Sequence, residues 1–390
     1  MTIRGINSYL QKESNFKQIV KLLYRNKECS RVSLARELKL TQAAITKLIN
    51  PLIESGLVEE AELIETAAGR KPKQLKLVSD KFHIVSGRIN RDYVSAALYD
   101  LRGHLISEKT ESLITHTAPS VALDTFEKLA EKLIKGTNSN ILGLGMAVPG
   151  PFNINTNKIS LMTGFSSWSD IDIKHELEER LNIPCFVEQD ANCGAIAELW
   201  RGKHQFSENV IYITADRGVG AGIVIDGSIY HGRSGYAGEF GHMSICHDGP
   251  KCECGNQGCL ELYCSSIALE KEYSALGGPS ISATEIISLA KGGDSMAQTA
   301  YLKIIKYLAR GTVGLINILN PDAVIYADKI SEGGDFFLDN ITDLIKQYSL
   351  PEIADRIKVS LSNFSEDPTM LGASVLVLEK MLEKSCEVFM

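Results

Sequence analysis

Four side chains that can bind a soft or borderline metal ion lie close together near the middle of the chain. They are one imidazole and three thiols, at His242, Cys252, Cys254 and Cys259. Four such ligands are the number that a structural zinc ion takes in a tetrahedral site. Gly255 and Gly258 lie between the thiols, and glycine permits the tight turns that closely spaced ligands need. The spacing therefore predicts one structural Zn²⁺ per chain.

Two carboxylates flank these predicted ligands in the sequence, although a tetrahedral zinc ion does not need them. Glu239 precedes His242 by three residues, and Glu261 follows Cys259 by two. A metal that fixes the neighbouring backbone would also hold both acids in place, and carboxylates accept hydrogen bonds from hydroxyl groups. The pattern favours a site for a polyhydroxylated ligand. The simpler alternative is a metal that only stabilises the fold.

The composition indicates a soluble globular protein of two or three domains. The chain has 390 residues, of which 44% are hydrophobic and 23% charged, as is ordinary for this class. No apolar run is long enough to span a membrane, and the polar, charged N-terminus is unlike a signal peptide. Nine cysteines, an odd number, three of them spaced for a metal, favour a reducing cytoplasm over a disulfide framework.

The charge is distributed unevenly along the chain. Residues 1–78 carry 14 Lys and Arg against 8 Glu and no Asp, a net charge of +6, whereas the rest carries −13. A basic segment joined to an acidic body is typical of a nucleic-acid-binding module attached to a part that does not bind nucleic acid.

The basic segment has the pattern of a winged helix-turn-helix. Apolar spacing over residues 16–23 predicts a first helix of about three turns. Ser30 or Ser33 can cap a short second helix, and Thr41 can cap a third over residues 42–55. Short strands near 57–58 and 75–77 would then form a wing with a basic tip at 69–73.

The third helix is the predicted recognition helix, whose N-terminal residues enter the major groove. Gln42 can bond an adenine edge, Ala43 can touch a thymine methyl group, and Lys47 suits a phosphate. The basic wing tip suits phosphates or a narrow minor groove. The alternative is a helical protein-interaction module with a solvated basic loop. The predicted DNA-contacting residues are Ser30, Arg31, Gln42, Ala43, Thr46, Lys47, Arg70, Lys71 and Lys73.

The acidic body alternates between strand and helix patterns, which indicates an α/β fold. Asp190 directly follows a predicted strand, where a carboxylate points into the cleft at a sheet's carboxyl end. It can bond a sugar hydroxyl or act as a general base for phosphoryl transfer. The alternative is a helix cap ahead of Ala191. The glycines of Gly218-Val219-Gly220-Ala221-Gly222 suit a phosphate loop, but glycines also mark tight turns.

Together these motifs resemble the ROK family, a group of bacterial repressors and sugar kinases with a two-lobed, actin-like (ribonuclease H-like) body. The resemblance covers essentially the whole chain. The head is similar to the repressor branch, which includes xylose and N-acetylglucosamine repressors, from Asn7 through Ser30-Arg31 to Ser55-Gly56-Leu57-Val58. The body blocks that carry the resemblance are 145–150, 188–192, 218–222, 238–243 and 252–261.

The resemblance implies a domain organisation. The winged helix-turn-helix would occupy residues 1–78 and the ROK body residues 79–390. Lobe one would comprise about 79–190 and a C-terminal helix at about 368–390, and lobe two about 191–367.

The resemblance also implies which residues bind sugar. They are Gln189, Asp190, Glu239, His242 and Glu261. His242 would bind zinc through one ring nitrogen and a sugar hydroxyl through the other. Family kinases usually have Asn at the position of Gln189.

The chain departs from the family's kinases at three ATP-handling segments. An Asp-x-Gly-x-Thr loop of the kinases is replaced by residues 86–91, which have neither the Asp nor the Thr. Asp216-Arg217 stands where kinases have Gly-Thr, and Ala327-Asp328-Lys329 where they have Gly-Gly. Phosphoryl transfer depends on such phosphate and cation contacts, so we expect no catalytic residues and no kinase activity.

The expected function is a sugar-responsive repressor of carbohydrate-metabolism genes. It would bind double-stranded operator DNA as a homodimer or a tetramer, with a monosaccharide or a derivative as inducer, in the cytoplasm and without a membrane partner. Two alternatives stay open: a ROK sugar kinase with a DNA-binding head, and a repressor sequestered by a phosphotransferase-system protein.

Overall fold

The computed structural model describes residues 8–60, 65–66, 69–70, 73–114, 117–160, 166–203 and 207–388. These residues form two compact units. The first contains the described chain up to Val148, residues Asp172–Glu188 and the chain from Met370; the second contains the described parts of Pro149–Ile171 and Gln189–Thr369.

The helices of the described residues are, in chain order, α1 (Ser8–Asn26), α2 (Arg31–Glu37), α3 (Gln42–Glu54), α4 (Pro119–Lys135), α5 (Ile173–Leu181), α6 (Asp190–Arg201), α7 (Glu261–Cys264), α8 (Ser266–Ala275), α9 (Ala283–Lys291), α10 (Ser295–Leu319), α11 (Asp335–Tyr348), α12 (Pro351–Ala354) and α13 (Pro368–Val388). None of them is long and apolar enough to cross a membrane.

The strands are β1 (Cys29–Ser30), β2 (Val58–Glu60), β3 (Glu65–Thr66), β4 (Gly69–Arg70), β5 (Gln74–Leu77), β6 (Phe82–Ile89), β7 (Tyr93–Asp100), β8 (Leu105–Ser112), β9 (Asn140–Val148), β10 (Phe152–Asn153), β11 (Lys158–Ile159), β12 (Cys185–Gln189), β13 (Val210–Ala215), β14 (Val219–Ile225), β15 (Ser228–Ile229), β16 (Ala323–Ala327) and β17 (Lys358–Leu361).

The head is a winged helix-turn-helix, as the sequence predicted. Ser30 caps α2 through a capping box with Ser33, and Thr41 caps α3 by accepting the Ala44 N–H. The head also contains a three-stranded sheet in the order β1-β5-β2. Between β2 and β5 in the chain, β3 pairs with β4. Helix α1 is longer than predicted, since it begins at Ser8, ahead of the apolar spacing that signalled it.

Each unit contains one five-stranded sheet, and the two sheets have the same order of strands. The first runs β12-β9-β6-β7-β8, and the second, read from its β17 edge, runs β17-β16-β13-β14-β15. In each, three successive antiparallel strands are followed by a strand that returns parallel to the first of them, β9 beside β6 and β16 beside β13. The α/β prediction is confirmed, and the two units repeat one sheet topology.

The head and the first five-stranded sheet belong to the same compact unit. The Lys81 ammonium donates to the Ser55 carbonyl at the end of α3, 3.3 Å away. Arg102, between β7 and β8, donates to the Leu77 carbonyl at 2.9 Å. Lys17 of α1 forms an ion pair with Glu379 of α13 at 2.9 Å. The head is therefore anchored to the body at several points within this unit.

The predicted domain boundaries stay predictions, and they differ from the compact units in two main respects. The head was predicted as a separate domain, but its described residues group with the first unit. Residues 149–171 were assigned to lobe one from the sequence, but they group with the second unit. Their contacts run to chain more than 70 residues away: Ile154 N–H, for example, donates to the Ser234 carbonyl at 3.1 Å. Such long-range pairing leaves no local signal in the sequence.

The packing of α13 on β9 leaves no room for a side chain at Gly145, because a Cβ there would overlap the Ala373 carbonyl oxygen. We expect Gly145→Ala to lower the free energy of unfolding by about 1–3 kcal/mol through overpacking. Gly314→Ala in α10 is the matched control, since its Cβ would meet only Met243 at 3.7 Å. There the higher helix propensity of Ala should stabilise by up to about 1 kcal/mol. Denaturant unfolding measures both, and equal effects would contradict the packing argument.

Candidate functional site

A group of polar side chains lies where β12 ends and α6 begins. Gln189, the last residue of β12, is only 3% exposed. Its Nε2 donates to Oε1 of Glu239 at 3.1 Å. Asp190 is the next residue and the first of α6. Gln189, which the family resemblance implied, and Glu239, which was predicted beside the metal ligands, therefore meet.

The carboxyl of Glu239 lies in an unfavourable place for a negative charge. Burial above all, and then the nearby charges of Asp190 and Glu261, raise its pKa to about 8, against the hydrogen bond from Gln189. Three of the predicted sugar-binding carboxylates therefore lie close enough to repel one another. Such a cluster can accept several hydrogen bonds from hydroxyl groups, and it disfavours an anionic group such as a phosphate.

Strand β14 positions the segment that carries Glu239. The Ala221 N–H donates to the Gly238 carbonyl at 2.9 Å. A Cβ at Gly238 would overlap the Ala221 carbonyl oxygen, and one at Gly241 would overlap that of Val219. Only glycine permits the backbone to approach this closely. The two glycines therefore place Glu239 and His242 directly against β14.

Glu261 is attached to the same strand from a different part of the chain. It is the first residue of α7, and its Oε2 accepts the Val219 N–H at 3.0 Å. This backbone donor was not predicted from the sequence, because nothing local links residues 219 and 261. Both acids thus depend on the first residues of β14.

Gly150 is a further member of the group that the sequence did not predict. A Cβ at Gly150 would overlap Nε2 of Gln189 and lie 2.7 Å from Oε1 of Glu239. The backbone at Gly150 therefore packs directly on the Gln189–Glu239 hydrogen bond. The glycine was visible in the sequence as part of a motif, but its contact was not.

Asp190 is not the N-cap of α6. That position is occupied by Gln189, whose side chain makes no capping bond. Oδ1 of Asp190 accepts the N–H of the adjacent Ala191 at 2.7 Å. The carboxylate lies in the first turn, where the helix dipole favours a negative charge.

The predicted metal ligands form one cluster. The ligand atoms of His242, Cys252, Cys254 and Cys259 all lie within 4.8 Å of one another. Nδ1 of His242 is 3.8 Å from Sγ of Cys252, and Sγ of Cys254 is 3.6 Å from Sγ of Cys259. His242 ends a short 3₁₀ turn, and Asn256 Nδ2 donates to its carbonyl at 3.1 Å.

This geometry fits a tetrahedral metal ion. Zn–S bonds of about 2.3 Å place the ligand atoms about 3.5–3.8 Å apart, close to the two separations above. Burial and the neighbouring thiols raise the pKa of Cys259 to about 12, so three thiolates need a cation beside them to coexist. A His/Cys₃ cluster that can hold a metal is therefore present.

The first turn of α3 is available to a partner. Gln42, Ala43 and Lys47 are exposed, while the Thr46 hydroxyl donates to the Gln42 carbonyl at 2.9 Å. The buried face of the helix consists of Ile45, Leu48, Ile49 and Leu52. The residues predicted to contact bases thus lie opposite the residues that hold the helix in place.

Three other predicted DNA-contacting residues already have partners. The Ser30 hydroxyl accepts the Ser33 N–H at 3.0 Å as part of the cap of α2. Arg31 and Lys73 both pair with Glu60, at 2.5 and 2.6 Å. Hydrogen bonds from Lys73 and then from Arg31 lower the pKa of the Glu60 carboxyl. Glu60 is a residue that the sequence analysis missed, although an acid in a basic wing is a visible signal.

The remaining wing-tip predictions are not tested by these contacts. Arg70 is in β4, but its side chain lies outside the described residues, as does the whole of Lys71.

Comparison with known proteins decides the family. The ROK family model matches residues 86–380, about three quarters of the chain. The chain belongs to the ROK family. Ahead of this ROK body, a winged helix-turn-helix DNA-binding model matches residues 17–59. The predicted winged head and actin-like ROK body are confirmed.

ROK relatives of this chain include proteins named as regulators that match along nearly their whole length. The xylose repressor of Bacillus spizizenii is 31% identical over 375 residues, which cover 95% of this chain and 97% of that protein. The DNA-binding transcriptional dual regulator NagC of Escherichia coli K12 is 27% identical over 394 residues, covering 96% of this chain and 95% of that protein.

A solved ROK regulator has the same fold throughout. The crystal structure of a ROK family transcriptional regulator, a homolog of the E. coli MLC protein, superposes with a TM-score of 0.81 at 26% identity, and covers 98% of this chain and 99% of that one. Solved ROK glucokinases and a hexokinase match 75–77% of this chain at 24% identity or less. That likeness concerns the fold alone.

Two of the segments expected to differ from the family's kinases, residues 86–91 and 327–329, have defined local structure. Ser86 is buried, and its hydroxyl donates to the Met370 carbonyl of α13 at 2.6 Å. Asp328 follows β16 with φ 63° and ψ −167°, a conformation that is essentially restricted to glycine. Asp328 therefore occupies a backbone conformation that usually requires glycine.

Proposed function

We propose that this ROK protein is a transcriptional repressor of carbohydrate-metabolism genes. It binds operator DNA as a homodimer through the winged head, and a monosaccharide bound in the second unit weakens that binding. The observation that carries the proposal is the exposed first turn of α3 in a chain whose body gathers hydroxyl-binding side chains. The names of the xylose repressor and NagC agree with it. A protein that acts on operator DNA would work in the cytoplasm.

In this proposal Gln42 and Ala43 contact bases, and Lys47 contacts a phosphate. Their exposure and the capped, buried frame of α3 support those roles. Arg31 and Lys73 attract DNA phosphates less than two free cations would, because the carboxylate of Glu60 neutralises part of their positive charge. Thr46 and Ser30 would act mainly by shaping the two helices. A homodimer would present two such heads to half-sites about one helical turn apart.

Replacing Lys47 and Lys73 separately tests this interface. We expect Lys47→Ala to weaken binding to all sequences and to reduce the slope of log K against log salt by about 0.9, the value for one phosphate contact. Lys73→Ala should reduce the slope less, since Glu60 is its partner. Gln42→Ala should cost about 1–3 kcal/mol and relax selectivity at one base position.

Fluorescence anisotropy on operator and random DNA at several salt concentrations gives these values. Deletion of residues 1–78 is the control for the location of the interface. Intact operator binding after that deletion would rule out the head as the DNA-binding part.

The sugar site of the proposal comprises Gln189, Asp190, Glu239, His242 and Glu261. Supporting it are the convergence of Asp190, Glu239 and Glu261, the bond between Gln189 and Glu239, and the attachment of two of the acids to β14. A neutral sugar adds no charge to this acidic group, and each carboxylate oxygen can accept a hydroxyl donor. His242 would keep its second ring nitrogen for a hydroxyl while Nδ1 faces the thiols.

Asp190→Asn should weaken sugar binding by more than about 1 kcal/mol, because it replaces a charge-assisted hydrogen bond with a neutral one. The variant should stay on its operator at sugar concentrations that release the wild type. Asp172→Asn is the matched control. Asp172 is the true N-cap of α5 and accepts the His175 N–H at 3.0 Å, and Asn caps about as well as Asp.

A thermal-shift screen with D-xylose, D-glucose and N-acetyl-D-glucosamine would identify the ligand first. Calorimetry then gives the affinities of the wild type and both variants. Equal affinity for Asp190→Asn and the wild type would remove Asp190 from the site.

We also propose that the His/Cys₃ cluster holds one structural zinc ion, which stabilises the loop between His242 and Glu261. Cys254→Ser should lose the metal and lower the melting temperature, because metal binding is coupled to folding. Cys246→Ser is the control, since Cys246 is exposed in the same loop and outside the cluster. Elemental analysis of protein purified without chelator should give one zinc per chain. A value well below one for the wild type would contradict the proposal.

The kinase alternative is disfavoured by the same structure. The Ser86 hydroxyl already donates to the Met370 carbonyl of α13. Asp216 and Asp328 place carboxylates in segments that the family resemblance assigns to ATP, and phosphates need donors or cations instead. We expect no sugar-dependent ATP consumption from the wild type or from Asp190→Asn with hexoses or N-acetylhexosamines.

A further inference from the structure

Tyr236 joins two parts of the second unit that are far apart in the chain. Its hydroxyl accepts a hydrogen bond from Asn153 Nδ2 at 3.1 Å and also bonds the Ser160 hydroxyl. Asn153 lies in β10, and Ser160 directly follows β11, with which β10 pairs as a hairpin. The backbone reinforces this contact, since the Ile154 N–H donates to the Ser234 carbonyl at 3.1 Å. The loop before Gly238 is therefore fastened to the hairpin.

The hairpin leads directly to the polar group of the candidate sugar site. The Ser160 N–H donates to the Pro151 carbonyl at 2.8 Å. Pro151 follows Gly150, whose backbone packs on Gln189 and Glu239. One residue, Ser160, thus bonds Tyr236 through its side chain and the base of the hairpin through its backbone.

These contacts form a closed loop of interactions in which Glu239 is one member. On one side, Tyr236 is three residues before Glu239 in the chain. On the other, Tyr236 reaches Glu239 again through Ser160, Pro151 and Gly150. A closed loop of interactions restrains its members more than a single contact does, because each member is held from two directions.

The ring of Tyr236 is not held by burial. The residue is 39% exposed, so its hydroxyl bonds contribute substantially to fixing its position. None of the proposed sugar contacts uses this side chain.

We propose that Tyr236 is a positioning residue for the sugar site. It holds the β10–β11 hairpin so that Gly150 stays against Gln189 and Glu239, and these two side chains then face the ligand in one arrangement. This inference rests on the proposed function of the site. Without the hydroxyl, the hairpin occupies this arrangement for only a fraction of the time, and the apparent affinity for sugar falls by that fraction.

The experiment compares Tyr236→Phe with Tyr230→Phe. Both changes remove one hydroxyl from an exposed tyrosine near the same loop, and Tyr230 is 50% exposed. Tyr236→Phe should weaken binding of the sugar found for the wild type among D-xylose, D-glucose and N-acetyl-D-glucosamine by about three- to tenfold, the net value of a single hydrogen bond, here the one to Ser160. Tyr230→Phe should leave the affinity unchanged.

Ser160→Ala and the double variant test the route of the effect. If Tyr236 acts through Ser160, the double variant should lose no more affinity than Tyr236→Phe alone. Zinc content, melting temperature and sugar-free operator affinity should match the wild type in every variant. A role in general stability would instead lower the melting temperature.

The outcomes separate this inference from the function on which it rests. Absence of sugar binding by the wild type overturns both. Sugar binding by the wild type, with equal affinity for Tyr236→Phe and Tyr230→Phe, overturns the role of Tyr236 alone. Additive losses in the double variant overturn the route through Ser160.

Discussion

The backbone of β14 is the constraint on which the candidate ligand site depends. It receives Gly238 and Gly241 at distances that exclude any side chain, and its first N–H holds Glu261. Near its start, β14 pairs with β13, and its backbone N–H groups also bond Gly238 and Glu261, so this part of the strand is held by several elements. Side chains attached to it from two distant segments therefore keep fixed separations, as a site that recognises the pattern of hydroxyls on a sugar requires.

The clustering of acids has a cost that suits a binding site better than a purely structural one. A buried carboxylate among like charges is unfavourable unless hydrogen-bond donors satisfy it. Gln189 supplies one donor to Glu239, and a sugar would supply several more. The same surplus of acceptors works against phosphate groups. The acidic surroundings of the candidate site therefore suit a neutral polyhydroxylated ligand better than a phosphorylated one.

The features that the sequence predicted well are those with local signals. Thr41 and Ser30 marked helix starts because their side chains cap within three residues, and the thiol spacing of the metal cluster lies within one loop. The features that it missed are set by distant pairing. Glu60 meets Arg31 and Lys73 only through the folded head, and Gly150 meets Glu239 only through the folded second unit. Asp190 shows a third case. The end of the strand before it was predicted, but the N-cap position of α6 is occupied by Gln189, one residue earlier than the helix-cap alternative for Asp190 supposed.

The anchoring of the head within the first unit has a consequence for how DNA is read. Lys81 binds the carboxyl end of the recognition helix, where the helix dipole favours a cation, and Arg102 and the Lys17–Glu379 pair hold the wing and α1. A head held in this way has little orientational freedom to lose when it meets DNA, so its binding carries a small entropic penalty. It also cannot adapt to a changed target. In the proposed dimer, inserting one base pair between half-sites rotates one of them by about 34°, and a head without a flexible tether cannot follow that rotation.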